Sequence, residues 1–237
     1  MRLDSTEDQL VVVRFWIKLV RFGFRLLYYE LSWTYDAVSW LVSLGEWRKW
    51  QQAALPYVSG QAVLEIGHGP GHMLVTLAQA GFVVTGLDLS PQMGRMARRN
   101  LRKAALDVCL VRGQVQDLPF GSGSFTAVLS TFPTDYILDP ETLAAVWRVL
   151  AENGRFIIIP EGHLTRHGIL HKFITFLFRI TGQASGEQVT EDEFWTNPEL
   201  WLPFQTRFEE AGFTFRTEYQ KLPKSGVTIL IAEKAQA

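Results

Sequence analysis

Cysteine is nearly absent: the 237 residues hold one, Cys109. A single thiol excludes an intrachain disulfide and any cysteine-rich metal site. Net charge is also small. Lys and Arg number 23 against 24 Asp and Glu, for −1 at neutral pH, so the chain lacks the positive excess of an overall nucleic-acid binder. There is no internal repeat and no low-complexity tract. The acidic start and scattered charges deny the N-terminus the uninterrupted apolar core of a signal peptide, which points to a cytoplasmic protein. What remains is enough sequence for one α/β core with additions.

The most informative stretch is VLEIGHGPGHML, residues 63–74. Residues 62–66 are apolar except for Glu65, as in a strand buried on both faces of a parallel sheet. Gly67, Gly69 and Gly71 follow at alternate positions, and residues 73–80 read as a helix. Strand, glycine turn and helix make the first half of a nucleotide-binding βαβ unit. A dinucleotide fingerprint read from Gly67 needs glycine or alanine at position 72, where His72 stands. The pattern here is E-x-G-x-G-x-G, with the acid inside the strand. A second strand over residues 82–87 ends at Asp88, 19 residues past Gly69. There a carboxylate can accept from both ribose hydroxyls of a nucleoside. Ser90 before Pro91 competes for the N-cap of the next helix. Cys109 falls in the third strand, read over residues 107–111, and is expected to be a buried thiol. Further strands are read over residues 125–130 and 155–160, with a turn at Asn153-Gly154 and a closing pair over 213–219 and 227–233.

The glycine segment resembles motif I of the class I S-adenosylmethionine-dependent methyltransferases, whose loop holds the amino-acid half of a cofactor that carries no phosphate. A further segment, GQVQDLPF over residues 113–120, is similar to that family's GDAxxLPF, which lies along the adenine; Gln114 stands for the usual acid and Val115 for the alanine. The resemblance spans residues 62–160. Before motif I, residues 28–52 look like the corresponding segment of the ubiquinone and menaquinone C-methyltransferases and their phospholipid N-methyltransferase relatives, matched at Tyr35, Asp36, Ser43, Gly45, Trp47, Arg48 and Trp50. In those enzymes this segment folds over the cofactor, and Tyr35 would be nearest the sulfonium. For Trp33, Trp40, Trp47 and Trp50 themselves, core packing is the expectation.

The resemblance implies a Rossmann-like α/β fold. Its seven-stranded, mostly parallel sheet has one antiparallel strand and helices on both faces, with amphipathic helices added at the N-terminus. It divides the chain into residues 1–52, a helical and lid segment, and residues 53–237, the methyltransferase domain with a helical insertion at 161–197. It implies S-adenosyl-L-methionine as cofactor, held by Glu65, Gly67, His68, Gly69, Gly71, Asp88, Leu89, Gln114, Val115 and Thr131, with Tyr35 from the lid. The turn Thr131–Tyr136 ends the fourth strand and should line the methyl-transfer pocket. Candidates for a base are His163, Tyr136 and Asp135, with His167 and Glu161 beside them; no spacing singles one out.

Two stretches carry the apolar and aromatic excess. Over residues 9–29, Arg14, Lys18, Arg21 and Arg25 are spaced four, three and four apart, one basic stripe on a broad apolar helix. Four cations in the window oppose a spanning helix at roughly 2.5–3.5 kcal/mol each. The two readings left are a helix lying in the membrane interface and a helix packed in a homodimer seam. Over residues 161–182, His163, His167 and His171 recur every four residues. No carboxylate takes the HExxH position and Gly168 interrupts the helix, so no metal is expected. The acceptor is then a small-molecule or lipid substrate, with no nucleic-acid partner, and the location is cytoplasmic or peripheral on the inner face of the membrane. The alternatives are a soluble small-molecule methyltransferase with a helical dimer seam and a non-catalytic cofactor-binding regulator.

Overall fold

The computed structural model of the protein describes residues 35–164 and 201–234, with the side chains of residues 35–37 and 42 left out. The basic stretch 9–29, the Tyr35 side chain, His167, His171 and the insertion beyond Leu164 lie outside the described residues.

Two helices, α1 (Tyr35–Ser43) and α2 (Trp47–Gln52), precede the sheet. Then β1 (Ala62–Ile66), α3 (His72–Gln79), β2 (Val83–Asp88), α4 (Pro91–Lys103) and β3 (Cys109–Arg112) alternate. They are followed by β4 (Phe125–Thr131), α5 (Pro140–Val149), β5 (Leu150–Ile159) and β6 (Gly162–Leu164). The hairpin β7 (Phe213–Lys221) and β8 (Ser225–Lys234) closes the sheet after α6 (Leu202–Glu210). The parallel order is β3-β2-β1-β4-β5, so β1 is central and its end, with that of β4, flanks the point where the order reverses. Ligands bind at the carboxyl ends of strands at such a point.

Eight strands occupy the seven expected ladder positions. Strand β6 resumes the line of β5 past Pro160-Glu161, and both pair antiparallel with the same edge of β8. Ile158 faces Leu230 and Gly162 faces Val227, so four steps on one strand meet three on the other. The extra residue is a bulge, placed where Pro160 has no N–H to give the ladder. Residues 162–164 are therefore strand, not the start of the expected helix, and His163 is not stacked with later histidines on a helical face. Strand β8 alone runs against the others, since β7 is antiparallel to it in turn.

Both sheet faces are buried. Leu64 and Ile66 point into one cluster with Phe156, Phe208 and Leu143. Val63 points into the other with Met73, Leu77, Ala97 and Trp50. Trp50 is 3% exposed and packs so closely on Gly162 that a Cβ there would come within 2.3 Å of the indole, which ties α2 to the sheet. Three local expectations are corrected. Cys109 is exposed, because β3 is the sheet's edge strand. Asn153-Gly154 is an irregularity within β5, where Leu150 faces Phe125 and Arg155 faces Ala127. Trp40 is 62% exposed rather than core.

Candidate functional site

The glycine loop begins where β1 leaves the sheet. Gly67 N–H donates to Leu87 O at 2.8 Å, which holds the loop over the end of β2. Gly71, with φ 79°, caps α3; a Cβ there would meet the Ala97 Cβ at 2.8 Å, so only glycine lets α4 come this close to the loop. Asn100 Nδ2 donates to Pro70 O at 2.9 Å and fixes the same contact. Gly69 differs: its φ is +52°, and a Cβ there would meet nothing within 4 Å. It faces open space in a cavity of about 480 Å³.

Asp88 is the hinge of this cavity. Its Oδ2 accepts from Gly69 N–H and its Oδ1 from Ser90 N–H, both at 2.8 Å. It ties the glycine loop to the start of α4 while remaining half-buried on the cavity wall. Capping of α4 falls to Ser90, whose Oγ accepts from Met93 N–H at 3.3 Å. The wall continues through Leu89, Gln114 and Val115 on one side and residues 131–134 with Tyr136 on the other. Of the expected cofactor residues, Gly67, His68, Gly69, Asp88, Leu89, Gln114, Val115 and Thr131 come together here. Gly71 and Glu65 lie just behind them.

The resemblance lays residues 28–52 over the cofactor, but the residues of this roof are not named among the site residues. Trp47 and Gln51, four apart on one face of α2, both line the cavity. Gln51 Nε2 donates to Thr131 Oγ1 at 2.9 Å. Trp47, expected in the core, lies half-buried with its ring centroid 3.9 Å from that of Phe132. Phe132 holds φ +54°, costly for a residue with a Cβ, and its N–H donates to Ile159 O at 2.7 Å. The i, i+4 spacing of Trp47 and Gln51 was the available signal; that their face meets the end of β4 is a long-range fact.

Burial sets the electrostatics. Glu65 is 1% exposed, and burial, then the charge of Asp88, push its carboxyl well above the usual range. The Leu74 backbone N–H eases this slightly, yet neither carboxyl oxygen completes a hydrogen bond. Burial thus favours the protonated form of this acid beneath the loop. His68 is also buried; desolvation lowers its pKa against the opposing pull of Asp88, and its Nδ1 lies 2.7 Å from Gly69 O. Glu161, at the end of β5, is pushed up to about 7 by burial.

The three base candidates separate. Tyr136 lines the cavity; its hydroxyl lies 3.4 Å from Ser130 Oγ, and a Cβ on Gly67 would come within 2.6 Å of it. Asp135 is exposed, off the cavity lining. His163, also off the lining, stacks on Tyr219 with Nε2 3.0 Å from its hydroxyl.

Among the described residues no Lys or Arg lines the cavity. Its ligand set is backbone N–H, one carboxylate, amides, the imidazoles of His68 and His72, and aromatic rings. That fits a nucleoside cofactor with a cationic sulfonium and no phosphate, and it lacks the charge to clamp a pyrophosphate. A volume of about 480 Å³ lies within the usual range for such ligands.

A family model described as a methyltransferase domain matches residues 63–154. A demethylmenaquinone methyltransferase of Symbiobacterium thermophilum is 29% identical over 222 residues, covering 82% of this chain and 85% of that one. A demethylmenaquinone methyltransferase of Tropheryma whipplei is 33% identical over 122 residues; that match spans 51% of this chain and 50% of the relative. A solved structure described as an S-adenosyl-L-methionine-dependent methyltransferase from Methanococcus maripaludis shares the fold. Its TM-score is 0.58 at 20% identity, over 86% of this chain and 92% of that one.

Proposed function

The chain is a class I S-adenosylmethionine-dependent methyltransferase that resembles the quinone methyltransferase group, and from that premise we propose that its acceptor is small and lipophilic, a quinone precursor or a phospholipid head group. The observation that carries this reading is the aromatic roof. Beyond the polar cradle of Gly69 and Asp88, the cavity opens against Trp47 and Phe132, apolar surface suited to a flat or lipid-like acceptor. The long match to a demethylmenaquinone methyltransferase favours the quinone precursor.

S-adenosylmethionine supplies an activated methyl on a positively charged sulfur. In this reading the Gly67–Gly69 backbone holds its amino-acid half, Asp88 its ribose, and Gln114 with Val115 its adenine. Trp47 and Phe132 exclude water and align the acceptor with the methyl, which is most of what such a displacement asks of a protein. A protonated acceptor also needs a base. Tyr136, on the cavity wall, stands nearest that task; Glu161, two residues past the strand partner of Thr131, is off the lining but carries a raised pKa. A carboxyl poised near 7 suits proton transfer at neutral pH.

Among the described residues no helix is long and apolar enough to cross a membrane. We place the protein in the cytoplasm, with residues 9–29 as contact to the inner membrane face; a homodimer seam is the competing use of that stretch. Incubating the protein with methyl-labelled cofactor and reduced demethylmenaquinone, then phospholipid extract, tests the acceptor. Label should appear in the quinone product by mass spectrometry. Label in neither fraction refutes a lipophilic acceptor.

A further inference from the structure

Helix α4 carries a feature that cofactor binding does not use. Its inner face, Met93, Ala97 and Leu101, is buried at four-residue spacing. Its outer face is Arg95, Arg98, Arg99, Arg102 and Lys103, at i, i+3, i+4, i+7 and i+8, all exposed and lining one surface furrow. This is one complete helical face made only of cations. The neighbouring α3 and β3 hold no acid, and the segment 91–112 has six cations against one acid, Asp107, in a chain whose net charge is −1. None of the five is paired with an acid among the described residues. Like charges at i, i+3 and i+4 repel. A face built this way costs helix stability unless an external anion offsets it.

We propose that this face of α4 docks on an anionic lipid bilayer. The five cations extend along the helix axis for roughly 12 Å, eight steps at the helical rise, a length over which several anionic head groups can be met at once. Single-stranded nucleic acid is disfavoured, because α4 has no aromatic ring on which a base could stack. Location adds a reason. The N-cap of α4, Ser90, lines the cofactor cavity, so a bilayer against α4 lies beside the rim through which a lipophilic acceptor would enter. The surface does not depend on the acceptor's identity, and the test contains no acceptor.

Full-length protein is sedimented with vesicles of phosphatidylglycerol or of phosphatidylcholine alone, at low and high salt. It should pellet more strongly with the anionic vesicles, and high salt should release the share that α4 holds. Each neutralised cation near such a surface lowers partitioning by roughly fivefold at low salt. The variant Arg98→Gln/Arg102→Gln/Lys103→Gln should therefore lose at least tenfold, with cofactor affinity unchanged as the check on folding. Equal pelleting of variant and wild type overturns the proposal and leaves any binding to residues outside α4. Absence of vesicle binding by the wild type, or binding of duplex or single-stranded DNA in its place, overturns it too. A failed acceptor assay would leave these results standing, and a failed vesicle assay would leave methyl transfer standing.

Discussion

Replacing Glu65 by Gln tests whether the glycine loop rests on a neutral acid. The amide matches the protonated carboxyl in shape and charge but cannot ionise. Burial and Asp88 raise the Glu65 pKa well above its ordinary 4.5. The folded protein then keeps a proton that the unfolded chain releases above that value. The unfolded state binds fewer protons, so stability falls as pH rises. The slope is about 1.4 kcal/mol per pH unit for as long as the folded carboxyl stays neutral. In Glu65→Gln this loss is absent. Denaturant unfolding from pH 4 to 8 should give two curves that meet near the acid end and part upward, the variant being the more stable. Other groups contribute to both curves. Glu161 lowers stability between 4.5 and about 7 in the same way. His68, held below 6.5, acts in the opposite sense, its contribution being lost as pH falls through that value. Both cancel in the difference between the two proteins. A constant offset at every pH would refute the argument, because it would mean that Glu65 titrates alike in both states.

Asp88→Ala removes two charge-assisted hydrogen bonds of 2.8 Å, worth roughly 1.5–3 kcal/mol each, as well as the ribose contact; calorimetric cofactor affinity should fall at least tenfold, and an unchanged value would take Asp88 out of the site. Gly69→Val places its side chain in space now empty but forces a β-branched residue to φ +52°, so the protein should fold with a lowered melting temperature and lose cofactor binding; normal binding by the folded variant would reduce the loop to a turn. If Glu161 is the base, methyl transfer to the active acceptor rises with pH through about 7, as burial dictates, and Glu161→Gln flattens that limb while cofactor affinity holds. A limb that persists in the variant assigns the proton to another group, with Tyr136 the next to test.

Local pattern carried much of this protein. The strand 62–66, the glycine loop, Asp88 at a strand end, Ser90 before Pro91 and the turn after β4 follow from periodicity and turn chemistry, which act over a few residues. Eight of the residues that the family resemblance implied for the cofactor meet at the cavity. What failed was set by neighbours distant in the chain. Cys109 is exposed because β3 is the edge strand among the described residues, and strand order is not written in the strand. Residues 162–164 extend the sheet because β8, some 60 positions later, offers them an edge. Trp40, Trp47 and Trp50 read alike in sequence, yet one is in solvent, one roofs the cavity and one is core. Hydrophobicity demands only that a ring find apolar contact; which surface it meets depends on where Phe132 and Gly162 arrive. The sequence by itself determined the meeting of the glycine loop with Asp88, because both lie within a single βαβ unit. Tertiary structure alone decided which rings roof the cavity and that burial raises the Glu65 pKa, because burial is a property of everything packed around a residue.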